Sequence, residues 1–193
     1  MVPTPRLVAI VLAGRSSQRL GGADKAMVAF EGRTLLDRVL TACAGAQGIV
    51  VVGPPRPTAA SVLWCEEQPA GGGPVAAFAA GLAAAPPADA VLLLASDLPF
   101  IAGGVPGLIA ALTPGVDAAV LVDREGRANY LASAWRRSSA LAQLEKLGDP
   151  AGLPMRRLLD GMTIAEVRDT EGWGFDCDTW EAVELARQRG ATQ

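Results

Sequence analysis

Histidine is absent from this chain, and cysteine occurs only at Cys43, Cys65 and Cys177. The three cysteines are far apart and form no Cys-x-x-Cys pair. A zinc site built from Cys and His is therefore excluded. So is a Ser-His-Asp or Cys-His nucleophile system. An odd, scattered set of thiols points to a reducing cytoplasm rather than a disulfide scaffold. A basic excess is missing too. Seventeen Lys and Arg stand against 20 Asp and Glu, for a formal net charge of −3, and the basic residues are scattered. Proteins that grip nucleic acid through many phosphates carry a strong basic surplus. Any polyanion is more simply a small ligand held by a few placed cations. No apolar stretch reaches membrane-spanning length before Gly, Pro or charge interrupts it. The opening Met1–Arg6 is too short and too broken to read as a signal peptide.

What the chain does have is 193 residues, half of them hydrophobic. That length fits one domain spanning 1–193, with a sizeable core. Strand and helix signals alternate along it. Buried strands are expected at 6–13, 49–53, 61–65, 90–95, 118–122, 130–135 and 163–167. Helices are expected at 34–45, 74–85, 105–112, 137–147, 153–160 and 179–189. Such alternation implies a largely parallel sheet with helices on both faces. In sheets of this kind ligands bind beyond the carboxyl ends of the strands. The loops after residues 13, 53 and 95 are the ones that rule selects.

The first of these loops is the most informative. Leu12-Ala13-Gly14-Arg15-Ser16-Ser17-Gln18-Arg19-Leu20-Gly21-Gly22-Ala23-Asp24-Lys25 follows an apolar strand directly. Small residues let backbone N–H groups approach a polyphosphate, and Arg19 and Lys25 can offset its charge. The spacing is neither the P-loop nor the dinucleotide fingerprint. A flexible surface loop is the plainer alternative.

Asp97 stands at the carboxyl end of the run Val91–Ser96. It is read either as a metal ligand or as the N-cap of the next helix. One carboxylate rarely holds Mg²⁺ alone, and Asp176 and Asp178, alternating before the last helix, offer a second. Asp178 could also simply cap that helix. Glu66-Glu67-Gln68-Pro69-Ala70-Gly71-Gly72-Gly73-Pro74 precedes an Ala-rich helix whose first amides could meet a ribose, base or phosphate. A solvent loop is the alternative there. Asn129 and Tyr130 offer hydrogen bonding and a stacking surface, although a lone Tyr on a strand commonly just packs. Arg156 and Arg157 could meet a substrate phosphate or form the solvated face of a short helix.

These motifs resemble those of nucleotidyltransferases of the molybdenum cofactor guanylyltransferase type, the MobA-like NTP transferases. That family opens with a strand, then L-A-G-G, a spacer, R-M/L-G-G, one residue, and D-K. The matches are Leu12, Ala13, Gly14, Arg19, Leu20, Gly21, Gly22, Asp24 and Lys25. Arg15 stands where the family usually has a second Gly. Asp97 matches the Asp of a D-x-P element. Gly174–Glu181 resembles a D/N-x-D/N-T-P-E element, with Trp180 in place of Pro.

The resemblance implies an α/β, three-layer Rossmann-like nucleotidyltransferase fold with a mostly parallel central sheet. It implies GMP transfer from GTP to molybdopterin with release of pyrophosphate. It assigns Arg19, Lys25 and Asp97 to catalysis. Leu12, Ala13, Gly14, Lys25, Glu67, Gly73, Pro74 and Asp97 would bind the nucleotide, and Asn129 and Tyr130 the acceptor. Mg²⁺ would sit on Asp97 with Asp178, or with Asp176. Gly14 places the chain with the guanylyltransferases, because the related cytidylyltransferases read L-A-A there. It also implies a cytoplasmic protein that binds neither nucleic acid nor membrane and makes transient contact with proteins delivering the acceptor. The rivals are a same-fold cytidylyltransferase or sugar-phosphate nucleotidyltransferase, and a catalytically inactive nucleotide-binding partner protein.

Overall fold

The apolar runs become strands and the 3.6-residue patterns become helices, largely at the expected boundaries. In this computed structural model, residues 5–14 and 22–190 are described. The strands are β1 (Leu7–Leu12), β2 (Ala29–Phe30), β3 (Arg33–Thr34), β4 (Ile49–Val52), β5 (Leu63–Cys65), β6 (Ala90–Ala95), β7 (Ala118–Val122), β8 (Ala128–Arg136) and β9 (Ile164–Arg168). The helices are α1 (Leu35–Ala42), α2 (Gly73–Ala84), α3 (Val105–Ala110), α4 (Arg137–Leu147), α5 (Met155–Leu158) and α6 (Trp180–Gly190).

Seven strands form one sheet in the order β5-β4-β1-β6-β8-β7-β9. Every pairing is parallel except the two made by β8. Strand pleating sends alternate residues to opposite faces. Val8, Ile10, Val50, Val52, Val91 and Leu93 pack on one face with Phe78 and Leu82 of α2, Ala140 of α4 and Leu158 of α5. Ala9, Val11, Val51, Leu92 and Leu94 pack on the other with Leu36, Val39 and Leu40 of α1 and Leu108 of α3. The mostly parallel sheet covered on both faces is the expected three-layer α/β architecture. Among the described residues no helix is long and apolar enough to cross a membrane.

Two features were not legible in the strand and helix signals. The hairpin β2–β3 turns at Glu31 and Gly32, whose φ angles of 46° and 77° suit a two-residue turn that follows strand twist. It packs with α6 in a small separate cluster of Val28, Phe30, Leu35, Cys177, Val183 and Ala186. That cluster ties the last helix to the segment carrying Lys25. The second feature is a break in the β7–β8 ladder. Val120 pairs with Ser133, but Leu121 pairs with Asn129. The intervening residues of β8 bulge out, fixed by Ser133 Oγ donating to the Tyr130 carbonyl (2.8 Å) and Leu131 N–H donating to Asn129 Oδ1 (3.1 Å). Because β8 is antiparallel, this bulge lies at the carboxyl end of β6.

Gly81 sets how closely α2 approaches the sheet. A Cβ there would stand 2.5 Å from Ile10 Cγ2 and 3.1 Å from Val52 Cγ2. Gly81→Val is therefore expected to lower unfolding free energy by about 2–3 kcal/mol, an overpacking cost. Gly45→Ala, where a Cβ meets nothing within 4 Å, serves as the control and should stay within about 0.5 kcal/mol. Urea unfolding of the two variants measures both. A Gly81→Val cost no larger than that of the control would contradict the close contact.

Candidate active site

Parallel register brings the ends of β1, β4 and β6 together. Leu12 pairs with Val52 on one side and Ala95 on the other. The backbone therefore delivers Ala13–Gly14, Gly53 and Ser96–Asp97 to one edge of the sheet. The β8 bulge adds Asn129 to Leu131 at the same edge.

Asp97 is 5% exposed. It does not cap a helix, because α3 begins at Val105 after Gly104. Its carbonyl accepts from Cys177 N–H (3.1 Å), which docks the segment carrying Asp176 and Asp178 beside it. Asp178 does not cap α6 either. Thr179 Oγ1 accepts from Ala182 N–H (3.2 Å) and takes that role. Both carboxylates are thus left for the site. Carboxylate oxygens of Asp97, Asp176 and Asp178 all lie within 4.8 Å of one another.

Like charges this close repel, and among the described residues Lys25 is their counterion. Its ammonium pairs with both Asp97 and Asp178. Burial alone would lower the Lys25 pKa. The charges of Asp97 and Asp178 and their hydrogen bonds outweigh that, and the net shift is upward. Asp176 is also shifted upward, above an ordinary carboxyl. Burial, then the charges of Asp178 and Asp97, raise its pKa against the opposing pull of Lys25. The neighbouring Cys177 thiol is pushed up to about 12, mainly by burial. It is a packing residue of the α6 cluster and not a nucleophile.

A cavity of about 410 Å³ opens on this cluster, within the usual range for small-ligand sites. Of the residues expected to meet a nucleotide, Leu12, Gly14, Lys25, Glu67, Gly73, Pro74 and Asp97 line it. Glu67 rather than Glu66 is the acidic residue that faces inward, and its Oε1 accepts from Gly71 N–H (3.0 Å). Ala13 lies fully buried behind the wall, with its N–H donated to the Val52 carbonyl (2.8 Å). A Cβ on Gly14 would meet nothing within 4 Å among the described residues. Arg15, Arg19, Leu20 and Gly21 lie outside the described residues.

A second cavity of about 760 Å³ adjoins the first. The two share Pro74, Asn129, Leu131 and Asp176. Tyr130 faces only the second. Asn129 also has a holding function, because its Nδ2 donates to the Gly174 carbonyl (3.1 Å). Arg156 and Arg157 line neither cavity. They are exposed on α5 while Met155 and Leu158 face inward, so the solvated-face reading holds for them.

Two residues that tie backbone segments at the site escaped the sequence. Asp169, 6% exposed, accepts from the N–H groups of Trp173 and Gly174, each at 2.8 Å. It shapes the turn that leads into Asp176. Its position just after β9 obeys the same strand-end rule that picks out Asp97. Arg56, in the loop after β4, ties the backbone of Ala13 and Gly14 to Asp24.

The sequence and fold match known proteins. A family described as the MobA-like NTP transferase domain matches residues 9–167. A molybdenum cofactor guanylyltransferase of Acidiphilium cryptum is 33% identical over 153 residues, which is 76% of this chain and 74% of that protein. The solved molybdopterin-guanine dinucleotide biosynthesis protein A of Archaeoglobus fulgidus superposes with a TM-score of 0.70 at 18% identity. That alignment covers 96% of this chain and all of the other. A 2-C-methyl-D-erythritol 4-phosphate cytidylyltransferase of Thermus thermophilus superposes with a TM-score of 0.69 at 22% identity, over 95% and 98% of the two chains. The fold is thus common to transferases of different nucleotides.

Proposed function

The chain belongs to the MobA-like NTP transferase family, and on that premise we propose that it transfers GMP from GTP to molybdopterin with release of pyrophosphate. The observation that carries this reading is the junction of two cavities at one charged cluster. A nucleotide in the first and an acceptor in the second would meet beside Asp97, Asp176, Asp178 and Lys25. The Acidiphilium cryptum relative, named for this activity, supports the same choice of substrates.

Guanine is favoured over cytosine by two residues. Among the described residues nothing crowds Gly14, which leaves room that a side chain would fill. Glu67 offers a carboxylate that matches the adjacent N–H donors on the guanine edge.

The reaction requires no protein nucleophile. An ionised phosphate oxygen of the acceptor attacks the α-phosphorus of GTP, and the bond to the β-phosphate breaks. Pyrophosphate carries away the electron pair. Catalysis of such a transfer is mostly positioning and charge stabilisation. Lys25 supplies a fixed positive charge for the phosphates. Asp97, with Asp178 and Asp176, provides hard oxygen donors of the kind Mg²⁺ takes. A bound Mg²⁺ would neutralise the triphosphate and the leaving pyrophosphate. Arg19 is the second cation of the proposal.

The setting is the cytoplasm, where free thiols such as Cys43, Cys65 and Cys177 persist. GTP and molybdopterin are the partners, with transient contact to whichever protein delivers the acceptor.

Calorimetric titration with each NTP in the presence of Mg²⁺ tests the nucleotide choice. GTP should bind at least about tenfold more tightly than CTP, a difference of roughly 1.4 kcal/mol. Equal or tighter binding of CTP would transfer the chain to the cytidylyltransferase reading.

A further inference from the structure

The loop that carries the family motif leaves the sheet at Ala13–Gly14 and returns at Asp24–Lys25. One side chain joins those two ends, and it comes from a different loop. Arg56 follows β4 in the segment Gly53-Pro54-Pro55-Arg56-Pro57. Its side chain is only 5% exposed. Nη1 donates to the Ala13 carbonyl (2.7 Å) and to the Pro54 carbonyl (3.1 Å). Nη2 donates to the Gly14 carbonyl (2.7 Å). Nε donates to Asp24 Oδ2 (2.6 Å).

We propose that Arg56 is a positioning residue for nucleotide binding, a clamp that holds Gly14 and Lys25 at the distance the triphosphate needs. The inference rests on the guanylyltransferase reading given above. Gly14 and Lys25 both line the first cavity, and each is the neighbour of a group that Arg56 holds. A guanidinium is suited to this because its donors form a rigid planar fork. Two successive carbonyls take one edge and a carboxylate takes the next. An ammonium is a point charge on a flexible stem and cannot reach all three.

The backbone around the clamp allows little alternative. Gly53 has φ 142°, and a Cβ on it would stand 2.1 Å from the Ala13 oxygen. The loops after β1 and β4 are therefore in direct backbone contact, and Arg56 is anchored beside that contact. Asp24 depends on the clamp in turn. Its Oδ1 is buried without a hydrogen-bond partner among the described residues. Arg56 is the partner of its other oxygen. Loss of the guanidinium would free both ends of the loop at once. Misplacement of binding groups by about 1 Å can cost as much as two orders of magnitude in rate.

The test combines Arg56→Lys, Arg56→Ala and Asp24→Asn with calorimetric GTP binding, steady-state rates and thermal midpoints. Arg56→Lys keeps the charge and should weaken GTP binding by about tenfold, raising KM more than it lowers kcat. The unfolding midpoint should stay close to that of wild type. Added guanidinium chloride should partly restore GTP binding to Arg56→Ala, where sodium chloride at equal ionic strength does not. A purely structural arginine predicts instead a lowered unfolding midpoint with unchanged KM in the folded protein. Should Arg56→Lys not fold, Asp24→Asn carries the test, because it takes the charge from one arm of the clamp and leaves the other two untouched. Its GTP affinity should fall by at least about threefold. A folded Arg56→Lys that binds GTP within about threefold of wild type would overturn the role of Arg56 alone. A wild-type protein with no affinity for GTP would instead overturn the guanylyltransferase reading.

Discussion

Asp97→Asn is expected to slow single-turnover GMP transfer by about 10²- to 10³-fold, or roughly 2.7–4 kcal/mol in the barrier. The substitution is nearly isosteric and keeps an oxygen that can accept from Lys25. What it removes is one unit of negative charge at the carboxyl end of β6, where three carboxylates converge. The backbone carbonyl of residue 97 still receives Cys177 N–H, so the Asp176–Asp178 segment stays docked. The unfolding midpoint should therefore change by no more than a few degrees, consistent with about 1 kcal/mol or less. Asp178→Asn should be milder, since that carboxylate is 42% exposed and a side-chain oxygen is retained. Rapid-quench measurement of pyrophosphate release on the two variants reads the order directly. An Asp97→Asn protein with a near-normal rate would show that the chemistry lies elsewhere.

Lys25→Ala should have two separable effects, which the structure makes sharper than the motif alone does. The first is catalytic. Removal of a cation that faces the phosphates should cost about 2–4 kcal/mol in transfer if the ammonium is desolvated there. The second is structural. Among the described residues Lys25 is the cation that pairs with Asp97 and Asp178, so its loss weakens the neutralisation of a carboxylate cluster. Breaking a buried pair costs about 3–5 kcal/mol, and the partial exposure of Asp178 reduces this to about 1–3 kcal/mol. Added Mg²⁺ should stabilise the variant more than it stabilises wild type, because the variant has one internal cation fewer beside the carboxylates. Thermal unfolding with and without Mg²⁺ separates this effect from the kinetic one. A solvated surface lysine predicts a stability change within about 0.5 kcal/mol and no difference in the Mg²⁺ response.

How far the sequence reaches can be seen element by element. Continuous apolar runs at 90–95 and 118–122 gave strands at those bounds, because a strand buried on both faces leaves little freedom in its pattern. Asp97 was legible for a related reason. A carboxylate directly after such a strand has its position set by the backbone. The β8 bulge was not legible. Its register depends on pairing with β6, distant in the chain, as well as with the adjacent β7, and a local pattern carries no record of that.

Asp176 and Asp178 were legible as a pair, and Lys25 by itself, but the contact between them was not. Their union with Lys25 depends on the hairpin β2–β3, too short to show a strand period. Arg56 was missed because its function is to hold backbone carbonyls, and a carbonyl has no sequence identity. The one clue was its position in the loop after β4, at the carboxyl end of a strand. Ala13 shows the converse. The family motif places it in the nucleotide group, and the structure sets it behind the cavity wall.

The most direct measurement is transfer of label from α-³²P-GTP to molybdopterin by the purified protein with Mg²⁺. Labelled guanine dinucleotide and pyrophosphate should form in equal amounts. CTP should replace GTP poorly, and the reaction should stop when the divalent ion is chelated. Label that stays in GTP while the same preparation binds GTP tightly would contradict the transferase and leave a nucleotide-binding protein in its place.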